Sequence, residues 1–348
     1  MKPTLIVDSH IPFIEGVLDP YAHVLYREPS QIDAQLVQGA NALLVRTRTR
    51  CDSALLEGSS VSFIGTATIG TDHIDAAYCQ SKGIVVANAP GCNAGAVMQY
   101  VFTALDALAV RKGLSFAGKT LGIVGVGHVG KRVAALGQAL GFRVLLNDPP
   151  RALAEGPDGF TSLDNLLQEA DVVTLHVPLA PDTMHMANTS FFQRMKPTAC
   201  FINASRGSVV DETALALARN RLGSIVLDVW EHEPGINPAT VALTDLATPH
   251  IAGYSLEGKR NATVAIVRAL ARHFNWESLA DFAISLPEPP KTSPRLLFSQ
   301  CFPIFVEDNT LRGNLGGFEQ QRSHYVYRRE WTPEQYKLLP LCFSLKKT

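Results

Sequence analysis

Along the chain, short apolar runs alternate with longer stretches of helical spacing, so the hydrophobic pattern predicts strand then helix, repeated. Runs at Leu5–Val7, His23–Tyr26, Ala42–Arg46, Ser62–Gly65 and Val85–Ala87 predict strands with room for helices between them, the pattern of a parallel sheet. Asn93–Lys112 follows the Pro90-Gly91 turn and carries Val97, Tyr100, Val101, Ala104, Leu105 and Leu108 on one face, which predicts a long amphipathic helix leaving the first unit. Thr120–Val124, Arg143–Asp148, Val172–Leu175, Ala199–Asn203 and Ser224–Asp228 predict a second parallel sheet, with a further strand near Ala247. A second long helix, Leu256–Phe274, has Val264, Val267, Leu270, Ala271 and Phe274 at helical spacing and is expected to return the chain to the first unit. The expected class is α/β, with two doubly wound parallel-sheet domains, residues 1–92 with 257–285 and residues 93–256. From Leu286 the prolines 287, 289, 290 and 294 predict a linker, and the remaining segment to residue 348 is too short for a large core of its own.

Within the second unit, Leu121-Gly122-Ile123-Val124-Gly125-Val126-Gly127-His128-Val129-Gly130 is a buried strand that breaks into a G-x-G-x-x-G loop and continues as a helix. Gly125 permits the tight turn, Gly127 lets a pyrophosphate approach the backbone, and Gly130 lets the helix lie close to its strand. The phosphates would meet the exposed N–H groups of the helix N-terminus. Asp148 ends the next strand about 20 residues on, where the dinucleotide fingerprint expects an acid on the ribose hydroxyls. That acid would repel a 2′-phosphate, so NAD is expected rather than NADP, with Arg151 nearby as a cation that would offset the preference.

Composition narrows the partners. The 348 residues hold 31 Lys plus Arg against 32 Asp plus Glu, a formal charge of −1, so no general field favours nucleic acid or an anionic membrane. A small molecule is the expected partner. Six cysteines, Cys51, Cys79, Cys92, Cys200, Cys301 and Cys342, form no C-x-x-C pair, which argues against a zinc site or a disulfide framework and for reduced thiols in a cytoplasm. Lys2 to Asp8 leads directly into a strand without the pattern of a signal peptide, and no apolar run approaches the ~18 residues that span a bilayer.

Ionisable groups collect at strand ends. Arg46, Thr47, Arg48, Thr49 and Arg50 follow one strand of the first unit, and Thr66, Thr68, Gly70 and Thr71 follow another, at the carboxyl ends where open α/β sheets bind ligands. Guanidinium groups and hydroxyls there suit an anion, a solvated loop being the competing reading. In the second unit, Asn203-Ala204-Ser205-Arg206-Gly207 offers a bidentate cation for a substrate carboxylate. Asp228-Val229-Trp230-Glu231-His232-Glu233-Pro234 and Thr248-Pro249-His250-Ile251-Ala252-Gly253-Tyr254 offer acids and an imidazole. Oxidising an alcohol by hydride transfer releases a hydroxyl proton, so a base near neutral pKa must sit beside it, and histidine fits best. His176 and His232 are rivals; His250, between Pro249 and a Gly253 turn, is the better placed.

This arrangement resembles the D-isomer-specific 2-hydroxyacid dehydrogenases, in which the same segments carry an Arg, a Glu and a His in this chain order. The resemblance covers about residues 4 to 275 and implies a flavodoxin-like substrate domain and a Rossmann NAD domain. It makes Arg206 the substrate-binding arginine, Glu233 the carboxylate behind the histidine, and His250 the acid/base. A narrower likeness, to the members of that family that oxidise 4-phospho-D-erythronate in vitamin B6 synthesis, rests on residues 65–73, 89–94 and 250–259. It implies substrate contacts from Thr47, Thr68 and Tyr254, to which the anion argument adds Arg46. The cofactor contacts it implies come from Asp148, Val177, Ala204, Ser205, Arg206, Asp228 and Gly253. Thr47 stands where those relatives usually have serine, and Val177 where threonine is common. They also carry a longer C-terminal dimerisation domain, of which only Phe318–Trp331, with Tyr327-Arg328-Arg329-Glu330-Trp331, looks similar; a homodimer is expected on that basis. The alternatives are a sibling acting on glycerate, glyoxylate or hydroxypyruvate, and a NAD(H)-sensing binding protein.

Overall fold

A computed structural model describes residues 2–289 and 297–344. These pack as two compact units: residues up to Asn93 with Ser255–Glu288, and Ala94–Tyr254 with the described residues from Pro289 on. Of the proline linker, Pro290 and Pro294 lie outside the described residues.

In the first unit, β1 (Thr4–Asp8), β2 (His23–Arg27), β3 (Ala42–Val45), β4 (Phe63–Thr66) and β5 (Val85–Ala87) form one parallel sheet in the order β2-β1-β3-β4-β5. The central strands are buried on both faces, which is why they read as continuous apolar runs rather than alternating ones. The order reverses between β1 and β3, which puts this sheet's switch point at those strands, the place where open α/β sheets leave a crevice at the carboxyl ends. Across it, Arg46 Nη1 donates to His10 O at 3.1 Å.

The helix Leu256–Phe274 is capped by Ser255, whose Oγ accepts from Gly258 N–H at 2.9 Å, and it stops at Asn275 in the left-handed region, φ 57°. It buries Ala262, Ile266, Val267, Leu270 and Ala271 against Leu5, Val7, Leu44 and Phe63. Val264, which the spacing puts on the buried face, is only half-buried.

The second unit holds β6 (Thr120–Val124), β7 (Arg143–Asn147), β8 (Val172–Leu175), β9 (Cys200–Asn203), β10 (Ser224–Leu227) and β11 (Leu246–Ala247), parallel in the order β11-β10-β9-β8-β6-β7. Its switch point is between β6 and β8. The helix Ala94–Lys112 departs from the one-sided pattern, because Gln99 and Thr103 are buried along with its apolar face. The cause is the C-terminal segment. Phe298, Phe302, Ile304, Trp331 and Leu339 share a core with Tyr100, Leu105 and Ile123, while Leu311 and Phe318 join Phe192, Phe201 and Trp230. Each such side chain contributes about 1.5–3 kcal/mol when taken out of water, so the segment is part of this unit's core. Among the described residues no helix is long and apolar enough to cross a membrane.

Candidate active site

The glycine loop joins β6 to the helix His128–Ala139. Gly125 has φ 89°, and a Cβ there would lie 2.6 Å from His176 O, so only glycine lets β6 and the end of β8 meet at the switch point. A Cβ on Gly130 would stand 2.1 Å from Gly125 O, whereas one on Gly127 would meet nothing within 4 Å. The first absence serves the fold; the second leaves open space over the loop. Asp148 Oδ2 accepts from Val126 N–H at 2.7 Å and Oδ1 from Arg151 N–H at 3.1 Å, which fixes the carboxylate beside that space with lone pairs to spare. Arg151 is engaged elsewhere: its guanidinium donates to Glu155 at 2.7 and 2.6 Å and to Val126 O at 2.8 Å. Glu155 therefore adds a second negative charge where Arg151 was expected to offset the first. These residues fit a dinucleotide whose adenine ribose carries no 2′-phosphate.

Val177 packs its side chain against Gly125 and offers no hydroxyl. Beside it, His176 Nε2 lies 3.1 Å from Thr174 Oγ1, and burial pushes this imidazole down to about 3. A ring that stays neutral to that pH is a poor proton acceptor for catalysis near neutrality. His232 is exposed at φ 62°, where its carbonyl accepts from Gly235 N–H at 2.9 Å.

His250 has a built environment. Its Nδ1 lies 2.7 Å from Glu233 Oε2, and Glu233 Oε1 accepts from Trp230 N–H at 2.9 Å. Burial opposes ionisation of Glu233, but the adjoining His250 and the Trp230 N–H outweigh it and hold the carboxyl below its usual range. An ionised Glu233 makes Nδ1 the donor, which leaves Nε2 as the face of the ring that can take a proton. Asp228, assigned to the cofactor by resemblance, is 1 % exposed, and its carboxylate accepts from Thr248 Oγ1 at 2.7 Å, Ile251 N–H at 2.9 Å and Ala252 N–H at 2.8 Å. Burial raises its pKa despite these donors and His250. Tyr100 OH reaches Thr248 Oγ1 at 2.8 Å, and Trp230 Nε1 donates to Thr248 O at 2.9 Å.

The Arg206 turn is wound by Asn203, whose Oδ1 accepts from Ser205 N–H at 3.0 Å and Oγ at 2.8 Å, and whose Nδ2 donates to Arg206 O at 2.9 Å. Half-buried Ala204 continues from β9 into this turn. A Cβ on Gly207 would lie 1.8 Å from Trp230 O, so glycine is what allows this turn to abut the segment carrying Glu233. Tyr254 closes a turn by donating N–H to Ile251 O at 2.8 Å, with Gly253 inside it.

The first unit presents half-buried Arg46, exposed Thr47 and Arg48, and Thr68, whose Oγ1 lies 2.7 Å from Thr66 Oγ1 and 2.9 Å from Gly70 O. His73 Nε2 backs this pair at 3.1 Å from Thr66 Oγ1. Among the described residues no group of three or more His, Cys, Asp or Glu could hold a metal ion.

Residues 100–252 match the profile of the family described as D-isomer specific 2-hydroxyacid dehydrogenase, NAD binding domain. The erythronate-4-phosphate dehydrogenase of Bacteroides fragilis is 43% identical over 338 residues, covering 94% of this chain and 97% of that one. The chain belongs to this family. The Salmonella typhimurium erythronate-4-phosphate dehydrogenase is 42% identical over 350 residues, with 94% of this chain and 92% of that one covered. A D-lactate dehydrogenase from Aquifex aeolicus, solved with NAD and lactic acid, superposes with a TM-score of 0.65 at 27% identity, covering 82% of this chain and 100% of that one. Residues 100–252 of the second unit are thus the NAD-binding domain of a D-2-hydroxyacid dehydrogenase, and the open glycine loop with Asp148 is a part that suits the cofactor.

Two cationic residues near His250 and Glu233 were not singled out from the sequence. Arg322 lies over the rings of Tyr254, 6.0 Å, and Phe318, 5.6 Å, and its charge helps to lower the Glu233 pKa. Arg328, 7 % exposed, donates to backbone carbonyls of residues 251, 252 and 254. Both belong to the C-terminal segment, and only the likeness of residues 318–331 to relatives hinted at them.

Proposed function

We propose that the chain oxidises 4-phospho-D-erythronate at C2 to 3-hydroxy-2-oxo-4-phosphooxybutanoate, with NAD as oxidant, in pyridoxal 5′-phosphate synthesis. The observation that carries this reading is the 2.7 Å pair of Glu233 and His250, which adjoins the carboxyl end of the NAD-binding sheet; the relatives named for that activity supply the substrate. Arg206 holds the substrate carboxylate with its planar fork and polarises the C2 oxygen. His250 Nε2 accepts the C2 hydroxyl proton, and Glu233 balances the charge that the ring acquires. Gly125, Gly127, Gly130, Asp148 and the backbone around Val177, Ala204, Ser205 and Gly253 would hold NAD, which would supply the hydride acceptor for C2. Asp228 shapes the His250 turn by accepting from Ile251 and Ala252 N–H, and its place among the cofactor contacts rests on the resemblance. On the first unit, Arg46, Thr47 and Thr68 are the groups suited to the phosphate end, since one arginine serves one anion and the substrate has two; Tyr254 is assigned to the substrate by the resemblance.

The test is NADH formation across phosphorylated and unphosphorylated 2-hydroxy acids. 4-Phospho-D-erythronate should exceed D-erythronate and D-glycerate in kcat/KM by roughly 10- to 150-fold, the worth of a charge-assisted contact of about 1.5–3 kcal/mol. His250→Ala should lose about 10²- to 10⁴-fold in kcat while keeping NADH affinity. Equal turnover of D-glycerate would limit the reading to the family's broad chemistry, and tight NADH binding with no turnover would favour a sensor. The five described cysteines are free thiols, which supports a reducing cytoplasm. The homodimer rests on the likeness of Phe318–Trp331 to the C-terminal segment of the relatives.

A further inference from the structure

The turn that carries His250 is held from both sides by buried charge. His250 has φ 56°, a left-handed backbone that a non-glycine residue adopts only where its surroundings hold it. On one side, buried Asp228 takes the N–H groups of Ile251 and Ala252, and its own carbonyl takes His250 N–H at 2.7 Å. On the other side, Arg328 Nη1 donates to Ile251 O at 2.9 Å and Tyr254 O at 3.1 Å, while Nη2 donates to Ala252 O. The peptide units just after His250 are therefore lined up between a buried anion and a buried cation. The guanidinium is itself pinned: Nη2 donates to Ala96 O at 3.0 Å, Nε donates to Gln99 Oε1 at 3.3 Å, and the group lies 4.3 Å from the Phe302 ring centroid. Gln99 Nε2 donates in turn to Arg329 O at 3.1 Å, which ties the clamp to the helix Ala94–Lys112.

We propose that Arg328 is a positioning residue for the acid/base: the C-terminal segment enters the catalytic apparatus of its own chain by fixing the turn that aims His250. This rests on the assignment of His250 as the base. A planar fork can serve carbonyls 251, 252, 254 and 96 at once, whereas the single ammonium of lysine cannot. Arg312 provides the contrast. It comes from the same segment and also bridges carbonyls, Val241 O at 2.9 Å and Thr244 O at 3.0 Å, but none in the histidine turn.

The experiment compares Arg328→Lys, Arg312→Lys, Gln99→Leu, His250→Ala and the double variant Arg328→Lys/His250→Ala. Rates are taken per NADH-binding site, counted by fluorescence titration, so that loss of folded protein does not mimic loss of rate. Arg328→Lys should lower kcat about 10- to 100-fold, the scale of an ångström-sized misplacement, with KM for the acid and NADH affinity within about threefold of wild type. Arg312→Lys should lower Tm yet keep kcat within about twofold. In the double variant, Arg328→Lys should take nothing further from the residual rate of His250→Ala, because its effect passes through that ring. Wild-type kcat in Arg328→Lys, or the same fold loss with and without His250, overturns the proposal. If Arg328→Lys yields no folded protein, Gln99→Leu decides: a kcat loss of several-fold supports the clamp and an unchanged kcat overturns it. A His250→Ala enzyme of normal kcat would instead overturn the base assignment, whatever the Arg328 variants do.

Discussion

Three histidines in candidate positions meet three environments, and the environment sorts them. His176 is held neutral by burial, His232 stands in solvent, and His250 alone has a carboxylate at 2.7 Å that is itself oriented by a backbone N–H. The same logic applies to Asp148, whose two anchoring N–H bonds fix its carboxylate beside the open glycine loop, with Glu155 holding the Arg151 guanidinium. Wild type should therefore prefer NAD over NADP by at least about 10-fold in kcat/KM, since about 1.4 kcal/mol of like-charge repulsion is enough. Asp148→Ala should narrow that ratio, mainly by raising the NADP value. Steady-state kinetics with both cofactors checks this, and an unchanged ratio would count against Asp148 as the reader of the ribose.

At the scale of elements, the glycines of the loop separate fold from ligand. Gly130 is needed for the helix His128–Ala139 to sit on Gly125 O, so Gly130→Ala forces backbone to move and should lower Tm, with each kcal/mol lost worth about 2–4 °C in a unit of this size. Gly127 meets nothing within 4 Å. Gly127→Ala should then leave Tm within about 1 °C, as unconstrained surface changes do, yet weaken NADH binding, because its methyl group occupies the space a pyrophosphate must enter. Thermal melts paired with NADH titration read both. A Gly127→Ala protein that binds NADH normally would remove the reason for assigning that glycine to the cofactor.

For the molecule as a whole, the buried titratable groups set an acid limit. Burial holds His176 at about 3, and it lowers His73, partly offset by Asp72, and His273 as well. Below the ordinary histidine value of about 6.5 the unfolded chain gains protons that these folded rings refuse, so stability falls as pH drops. Glu233 acts in the same sense lower down: its lowered pKa stabilises the fold above the usual carboxylate range, and this is lost as pH falls through the lowered value. His176 contributes at most about 1.4 kcal/mol per pH unit, less to the extent that its half-buried ring meets solvent. Tm should decline between pH 6.5 and 4.5, and His176→Gln should flatten that decline. Parallel melting curves of equal steepness would show that His176 is not one of the groups responsible.

What could be read along the chain was what depends on near neighbours in it. Strand runs, the long helices, the glycine loop and Asp148 at the end of the next strand are written in periodicity and in backbone freedom, which act over a few residues. The order of the two sheets, the burial of Gln99 and the partners of Asp228 and Arg328 are not, because each depends on groups distant in sequence. Asp228 reads along the chain as a lone acid at a strand end, and only the fold brings it to the N–H groups of residues 251 and 252. Arg328 meets Ala96 across 232 positions, a contact that exists only once the C-terminal helices have covered the helix Ala94–Lys112. Local pattern thus decided which segments become strands, helices and the glycine loop, and packing decided which distant neighbours hold them in place.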